Sequence, residues 1–154
     1  MAYTRELFPK LNFVYTLATG TLDDQTLMIH LMSFYAESED FKVIRELLDT
    51  RGLQNVEGLT VRGLIRAAET QKKLFPGKDF RAAVMVNSAE YRKGVEIYSS
   101  LANTEKLQIK PFENGLDEPL AWLGYNKEDR TKIKRFISRH TTLKQHHRPI
   151  PVEV

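Results

Sequence analysis

The chain has 154 residues, 42% of them hydrophobic and 28% charged, so it is long enough for one domain with its own core. It has no cysteine, which excludes disulfides, thiol catalysis and thiolate metal sites. The net charge of +3 resides in residues 127–154, which hold eight Lys/Arg against three acids, so attraction to a polyanion would have to come from there.

The elements follow in chain order. Tyr3–Phe8 reads as an edge strand, and Pro9-Lys10 as a turn, because proline presets φ for one. Leu11, Phe13, Tyr15 and Leu17 alternate with their neighbours, so a second strand pairs with the first as a hairpin and ends at Gly20. Thr21, Asp23 or Asp24 can cap the next helix, whose apolar face carries Leu27, Leu31, Phe34 and Tyr35. Val43–Asp49 is a strand, and residues 51–58, with Gly52, Asn55 and Gly58, read as a loop. Thr60 caps a helix carrying Val61, Leu64, Ile65 and Ala68, which Pro76-Gly77 stops.

Residues 82–86 form a continuous apolar run, as a strand covered on both faces requires. Asn87 or Ser88 caps the helix after it, where Tyr91, Val95, Tyr98 and Ala102 recur on one face. Gly94 inside that helix costs about 1 kcal/mol relative to alanine, which argues for close packing there. Leu107, Ile109 and Phe112 form a last strand, which Pro111 places at an edge or ends early. A short helix holds Leu120, Trp122 and Leu123, with Gly124 beyond its end. Residues 127–140 form a further helix, acidic at its start and basic at its end, as the helix dipole favours. Strands alternating with helices imply an α/β fold with a mostly parallel sheet.

Four segments carry a family likeness: ATGTLDDQTL (18–27), LLDTRGL (47–53), AAVMVNSAEYRKGVEIYSSL (82–101) and EPLAWLG (118–124). In this order they resemble the SpoIIAA-like superfamily, which holds the STAS domains of anti-sigma-factor antagonists and many uncharacterised bacterial proteins. The resemblance lies with the uncharacterised branch and covers about residues 3–124. It implies a SpoIIAA-like (STAS-like) α/β domain over 1–125, with a mixed, mostly parallel sheet, an N-terminal hairpin and about four helices, followed by a basic helix and tail over 126–154. True antagonists carry a phosphorylated Asp-Ser pair at the helix start that reads NVEGLTVRGL (55–64) here. Thr60 only approximates that serine, so the phosphoswitch does not carry over.

Three groups of residues could bear function. Asp49 and Arg51 lie at the carboxyl end of a strand, where open α/β sheets place ligands, although a loop ion pair or turn hydrogen bond is the plainer explanation. Thr60 at a helix N-terminus could hold an anion or act as a plain cap. Lys132, Lys134, Arg135 and Arg139 could form a basic face for nucleic acid, an acidic protein or a membrane surface. In the plainer alternative, Ile133, Phe136 and Ile137 dock that helix on the domain, or pack a second copy as a homodimer.

His140, His146 and His147 lack a rigid frame for a metal. No catalytic motif or spacing is present, and no cofactor is expected. The first expectation is therefore a non-catalytic regulatory or protein-interaction module with a protein partner. Nucleic-acid binding through the basic helix and a small-molecule or lipid carrier are the alternatives. No stretch reaches the ~20 apolar residues of a membrane span, and MAYTRELFPKLN is unlike a signal peptide, so the expected place is the cytoplasm.

Overall fold

The computed structural model describes the backbone of residues 2–146 and the side chains of residues 3–139. Five strands form one sheet in the order β1 (Ala2–Phe8), β2 (Phe13–Asp23), β3 (Val43–Gly58), β4 (Asp79–Met85), β5 (Leu107–Phe112). β1 runs antiparallel to β2, and every later neighbour pair is parallel. The hairpin, the parallel core and the edge position of Pro111 follow the sequence expectation.

Sequential strand order fixes where the helices go. The connections α1 (Asp24–Glu37), α2 (Val61–Leu74) and α3 (Ala89–Ala102) each carry the chain to the next strand in the same direction. With right-handed crossovers all three must lie on one face. Phe34, Ala68, Phe75 and Ala102 from these helices pack there with Val14, Ile44, Phe80, Ala82 and Val84 from the strands. The opposite face carries Phe13, Tyr15, Leu47, Ala83 and Met85, and is covered by α4 (Asp117–Trp122) and α5 (Lys127–His146).

Ile133 and Ile137 of α5 are buried in that second layer, and Phe8 stacks on Phe136 at 5.4 Å. The Tyr125 hydroxyl donates to the Leu11 carbonyl at 2.7 Å and the Arg130 guanidinium to the Tyr125 carbonyl at 2.8 Å, fixing the turn into the helix. The stripe of α5 is thus covered by the chain's own sheet. Trp122 is half-buried against Phe112, and its carbonyl accepts from Arg81.

Two expectations fail here. Residues 51–58 are not a loop, and β2 does not end at Gly20. β3 continues to Gly58 and β2 to Asp23, paired in parallel with register shifts between Leu17 and Thr19 and again between Gly20 and Asp23. Irregular register breaks the period of two, so the alternation that marks a strand is lost. Gly58 is needed for contact rather than for turning, since a Cβ there would lie 2.6 Å from Asp23 Cβ. Because β4 pairs β3 only as far as Asp49, residues beyond it overhang the sheet as a two-stranded ribbon with β2.

The expected close packing at Gly94 is also absent. A Cβ at Gly94 would meet nothing within 4 Å. The open space beside it is the cavity described next.

Candidate functional site

Between the sheet and α1–α3 lies a partly open cavity of about 320 Å³, a volume at the lower end of the ~300–1,000 Å³ range of small-molecule sites. It follows β3 from Val56 through Leu53, Thr50 and Leu48 to Glu46. Leu22 of β2 and Val56 of β3 make the overhanging ribbon one wall, while Leu59 and Glu90 border the cavity beyond the strands' carboxyl ends. That end of an open α/β sheet is where ligands usually sit. The face of α3 towards the cavity carries Tyr91, Gly94, Val95 and Tyr98. Tyr91, Val95 and Tyr98, on the apolar face expected from the sequence, pack on the core while lining the cavity. Gly94 keeps the space open.

The inner end is polar. Glu46 occupies the helix-side alternation of β3 with Ile44 and Leu48, and is only 3% exposed. The Thr16 hydroxyl donates to Glu46 Oε2 at 2.6 Å. Burial pushes the Glu46 carboxyl up to about 7, against the opposing pull of the Thr16 hydrogen bond and the Arg5 charge.

His30 of α1 lies beside it, its Nε2 4.0 Å from Glu46 Oε2. Arg5 donates from Nη2 to His30 Nδ1 at 2.8 Å. A guanidinium cannot accept a hydrogen bond, so Nδ1 must be the acceptor and the ring proton sits on Nε2. Burial, aided by the Arg5 charge, holds His30 down at about 3, so the ring is neutral near pH 7. The contact with Glu46 is therefore not an ion pair.

Arg5 is turned away from the cavity. Its guanidinium pairs with Glu37, reaches the His30 carbonyl and Ser33, and lies 4.7 Å over the Phe34 ring. The Tyr3 ring stacks on His30 with centroids 4.0 Å apart. On the far side, the Tyr98 hydroxyl donates to Gln71 Oε1. Burial raises the phenols of Tyr3 and Tyr98 well above their ordinary value, so both stay neutral.

The residues singled out from the sequence do not meet in one site. Asp49 is buried and takes a two-pronged pair from Arg51, Nε to Oδ1 and Nη2 to Oδ2, both at 2.9 Å. This is the local ion pair that the sequence allowed for, although it lies in a strand. Thr60 caps α2, its Oγ1 accepting from the Gly63 amide at 2.9 Å.

The anion at that helix start is internal. Asp24, in the first turn of α1, accepts from the Thr60 amide at 2.9 Å and from the Thr60 hydroxyl at 2.6 Å. A Cβ on Gly63 would fall 2.0 Å from Asp24 Oδ1. Gly63→Ala is therefore expected to destabilise the fold by about 1–3 kcal/mol through overpacking. In an Asp24→Ala background the same change should be neutral or favourable, since alanine is the better helix former. A urea double-mutant cycle measures the coupling, and additive effects would show that the two residues do not share this contact.

On α5, Lys132 pairs with Glu128 within the helix and Lys134 with Asp117 of α4. Arg135 and Arg139 are exposed. His140, His146 and His147 lie outside the residues whose side chains are described. Among the described residues no group of three or more His, Cys, Asp or Glu could hold a metal ion, and no helix is long and apolar enough to cross a membrane.

Glu46, His30, Arg5 and Gln71 were missed as site residues. The available signal was a carboxylate in the same alternation as Ile44 and Leu48, and a histidine on the helix face of Leu27, Leu31 and Phe34. Each is a polar group on an apolar face.

No family model and no curated protein matches the sequence. Among solved structures, the chain is similar to an uncharacterised protein of the DUF3478 family with a SpoIIAA-like fold from Shewanella loihica PV-4. The TM-score is 0.53 and the identity 16%, over 79% of this chain and 92% of that one. With the strand order, the antiparallel first strand and the helix-covered faces, this similarity shows that the chain has the SpoIIAA-like fold.

Proposed function

We propose that the protein is a non-catalytic binding module whose ligand is a small amphiphile held between the sheet and α1–α3. The observation that carries this reading is the cavity itself. It is apolar along its length and ends on a buried Glu46 beside a neutral His30. Leu22, Leu27, Leu48, Val56, Leu59 and Leu64 are only partly buried, although they sit on inward faces. A ligand would complete their burial, at about 25 cal/mol per Å² of apolar surface removed from water. A buried carboxyl that takes a hydrogen bond from Thr16 and lies beside a neutral His30 is a polar group poised to orient a ligand, as small-molecule sites commonly use.

This makes the carrier-like reading the leading one for a STAS-like module. A protein partner that senses the occupied state is compatible with it and is a proposal of the fold resemblance alone.

The test is fluorescence enhancement of the neutral apolar dye N-phenyl-1-naphthylamine, with native mass spectrometry of the freshly purified protein. One dye per chain is expected to bind. Gly94→Phe, placed where a side chain enters open space, should abolish binding while the unfolding transition stays cooperative. Undiminished dye binding by that variant would refute the cavity as the site.

A further inference from the structure

We infer that the ligand's polar end is a hydrogen-bond donor carrying positive charge, a primary ammonium on an apolar chain, seated against Glu46. The inference rests on the cavity being the binding site and goes on to its specificity.

The charges around the inner end are unequally disposed. From β1, Arg5 is the cation whose charge acts on Glu46, yet it hydrogen-bonds the His30 ring and does not line the cavity. Its guanidinium is engaged by Glu37, His30 and Ser33. From α1, His30 faces the cavity as a neutral ring, because burial, aided by the Arg5 charge, disfavours its protonated form. Tyr3 from β1 and Tyr98 from α3 are neutral phenols, and Gln71 from α2 is uncharged. Thr16 from β2 donates its hydroxyl to one carboxyl oxygen.

The formal charges lining the cavity are therefore Glu46 at the inner end and Glu90 near the opening, both acidic. A carboxylate or phosphate head would meet like charge, and the Arg5 guanidinium is not among the residues that line the cavity. An ammonium would find the carboxyl of Glu46 and the acceptor oxygens of Gln71 and Tyr98. It would restore to Glu46 the partner that a buried carboxylate needs. The chain would then run back along Leu48, Leu53 and Val56 towards the opening.

Such a head also fits the proton balance. Burial keeps much of Glu46 protonated near pH 7. Seating an ammonium favours the ionised carboxylate, so binding releases a proton and tightens as pH rises through this range.

The experiment is displacement of N-phenyl-1-naphthylamine by decylamine, decanol and decanoate, three ligands with the same tail. At about pH 8 decylamine is expected to compete at least about tenfold better than either of the others, and at about pH 5.5 this advantage should largely vanish. Glu46→Gln should remove the advantage of decylamine over decanol at both pH values. The pH series on the unaltered protein gives the same reading without a variant. If the dye enters but the three ligands compete equally, or decanoate competes best, the cavity stands as the site and the ammonium assignment is overturned. If the dye does not enter, both fall together.

Discussion

Ile133→Ala is expected to lower the free energy of unfolding by roughly 2–5 kcal/mol, whereas Arg135→Ala, two residues along the same helix, should change it by no more than about 0.5 kcal/mol. Ile133 is fully buried at the second face of the sheet, in the cluster of Phe13, Leu47 and Met85. Sheet backbone bounds that side, and hydrogen-bonded strands cannot collapse into the space that a removed side chain leaves. The transfer term and the cavity term both apply. Arg135 is exposed, and its loss removes only solvated charge. Urea unfolding of the two variants gives the comparison. Equal, small losses would mean that α5 is merely tethered to the chain rather than part of its core.

The outcome bears on how the basic helix is used. Its narrow apolar stripe could serve the domain, a second copy or nothing. In the structure Ile133 and Ile137 are buried against the domain, so the stripe has its partner within the chain. Lys134 is drawn onto Asp117 of the neighbouring helix. Of the four basic residues singled out on this helix, Arg135 and Arg139 are exposed, and Lys132 is shared with Glu128.

How legible each part was depended on whether the signal was periodic. The apolar run at 82–86 and the spaced residues Tyr91, Val95 and Tyr98 announce a buried strand and a packed helix, because burial on a regular element imposes a regular pattern. The ribbon of Gly20–Asp23 with residues 51–58 was not legible. Its register shifts remove the pattern, and Gly52, Asn55 and Gly58 look like turn residues when read singly. The segment between Asp49 and Thr60 does border the site, but through Thr50, Leu53, Val56 and Leu59 rather than through Asp49, Arg51 or Thr60. Asp49 and Arg51 pair with each other and Thr60 with Asp24 of α1, whereas Glu46, His30 and Gln71 come together from β3, α1 and α2. Only the sheet and its crossovers bring them together, so the local pattern marks Glu46 and His30 as polar groups on apolar faces without showing that they meet. Gly94 shows the same limit: a glycine in a helix marks space that a side chain must not fill, without saying whether a neighbour or a cavity occupies it.

Glu46→Gln is expected to stabilise the protein at about pH 8 by on the order of 3 kcal/mol, and to leave it nearly unchanged at about pH 4. The ordinary value of the Glu46 carboxyl is 4.5 and burial raises it to about 7 in the fold. As pH rises through this window the unfolded chain gives up the proton first, while the folded chain retains it. The folded state then binds more protons than the unfolded state, so stability falls with rising pH and levels off above about 7. Below the lower value both states hold the proton, and the difference disappears. Glutamine keeps an oxygen that can accept from the Thr16 hydroxyl and never ionises, so it removes the penalty without opening a cavity. His30 acts in the opposite sense. Its ordinary value of 6.5 falls to about 3 in the fold, so the unfolded chain takes up a proton first as pH drops, and stability is lost on the acid side. Between about 4.5 and 6.5 the two slopes oppose each other and flatten the combined contribution in the parent. Glu46→Gln leaves the His30 slope alone, and stability should climb with pH across that interval. Urea midpoints of parent and variant measured from about pH 4 to 8 give the difference curve. Parallel curves would mean that Glu46 ionises in the fold as freely as in water, and that the inner end of the cavity is wet rather than desolvated.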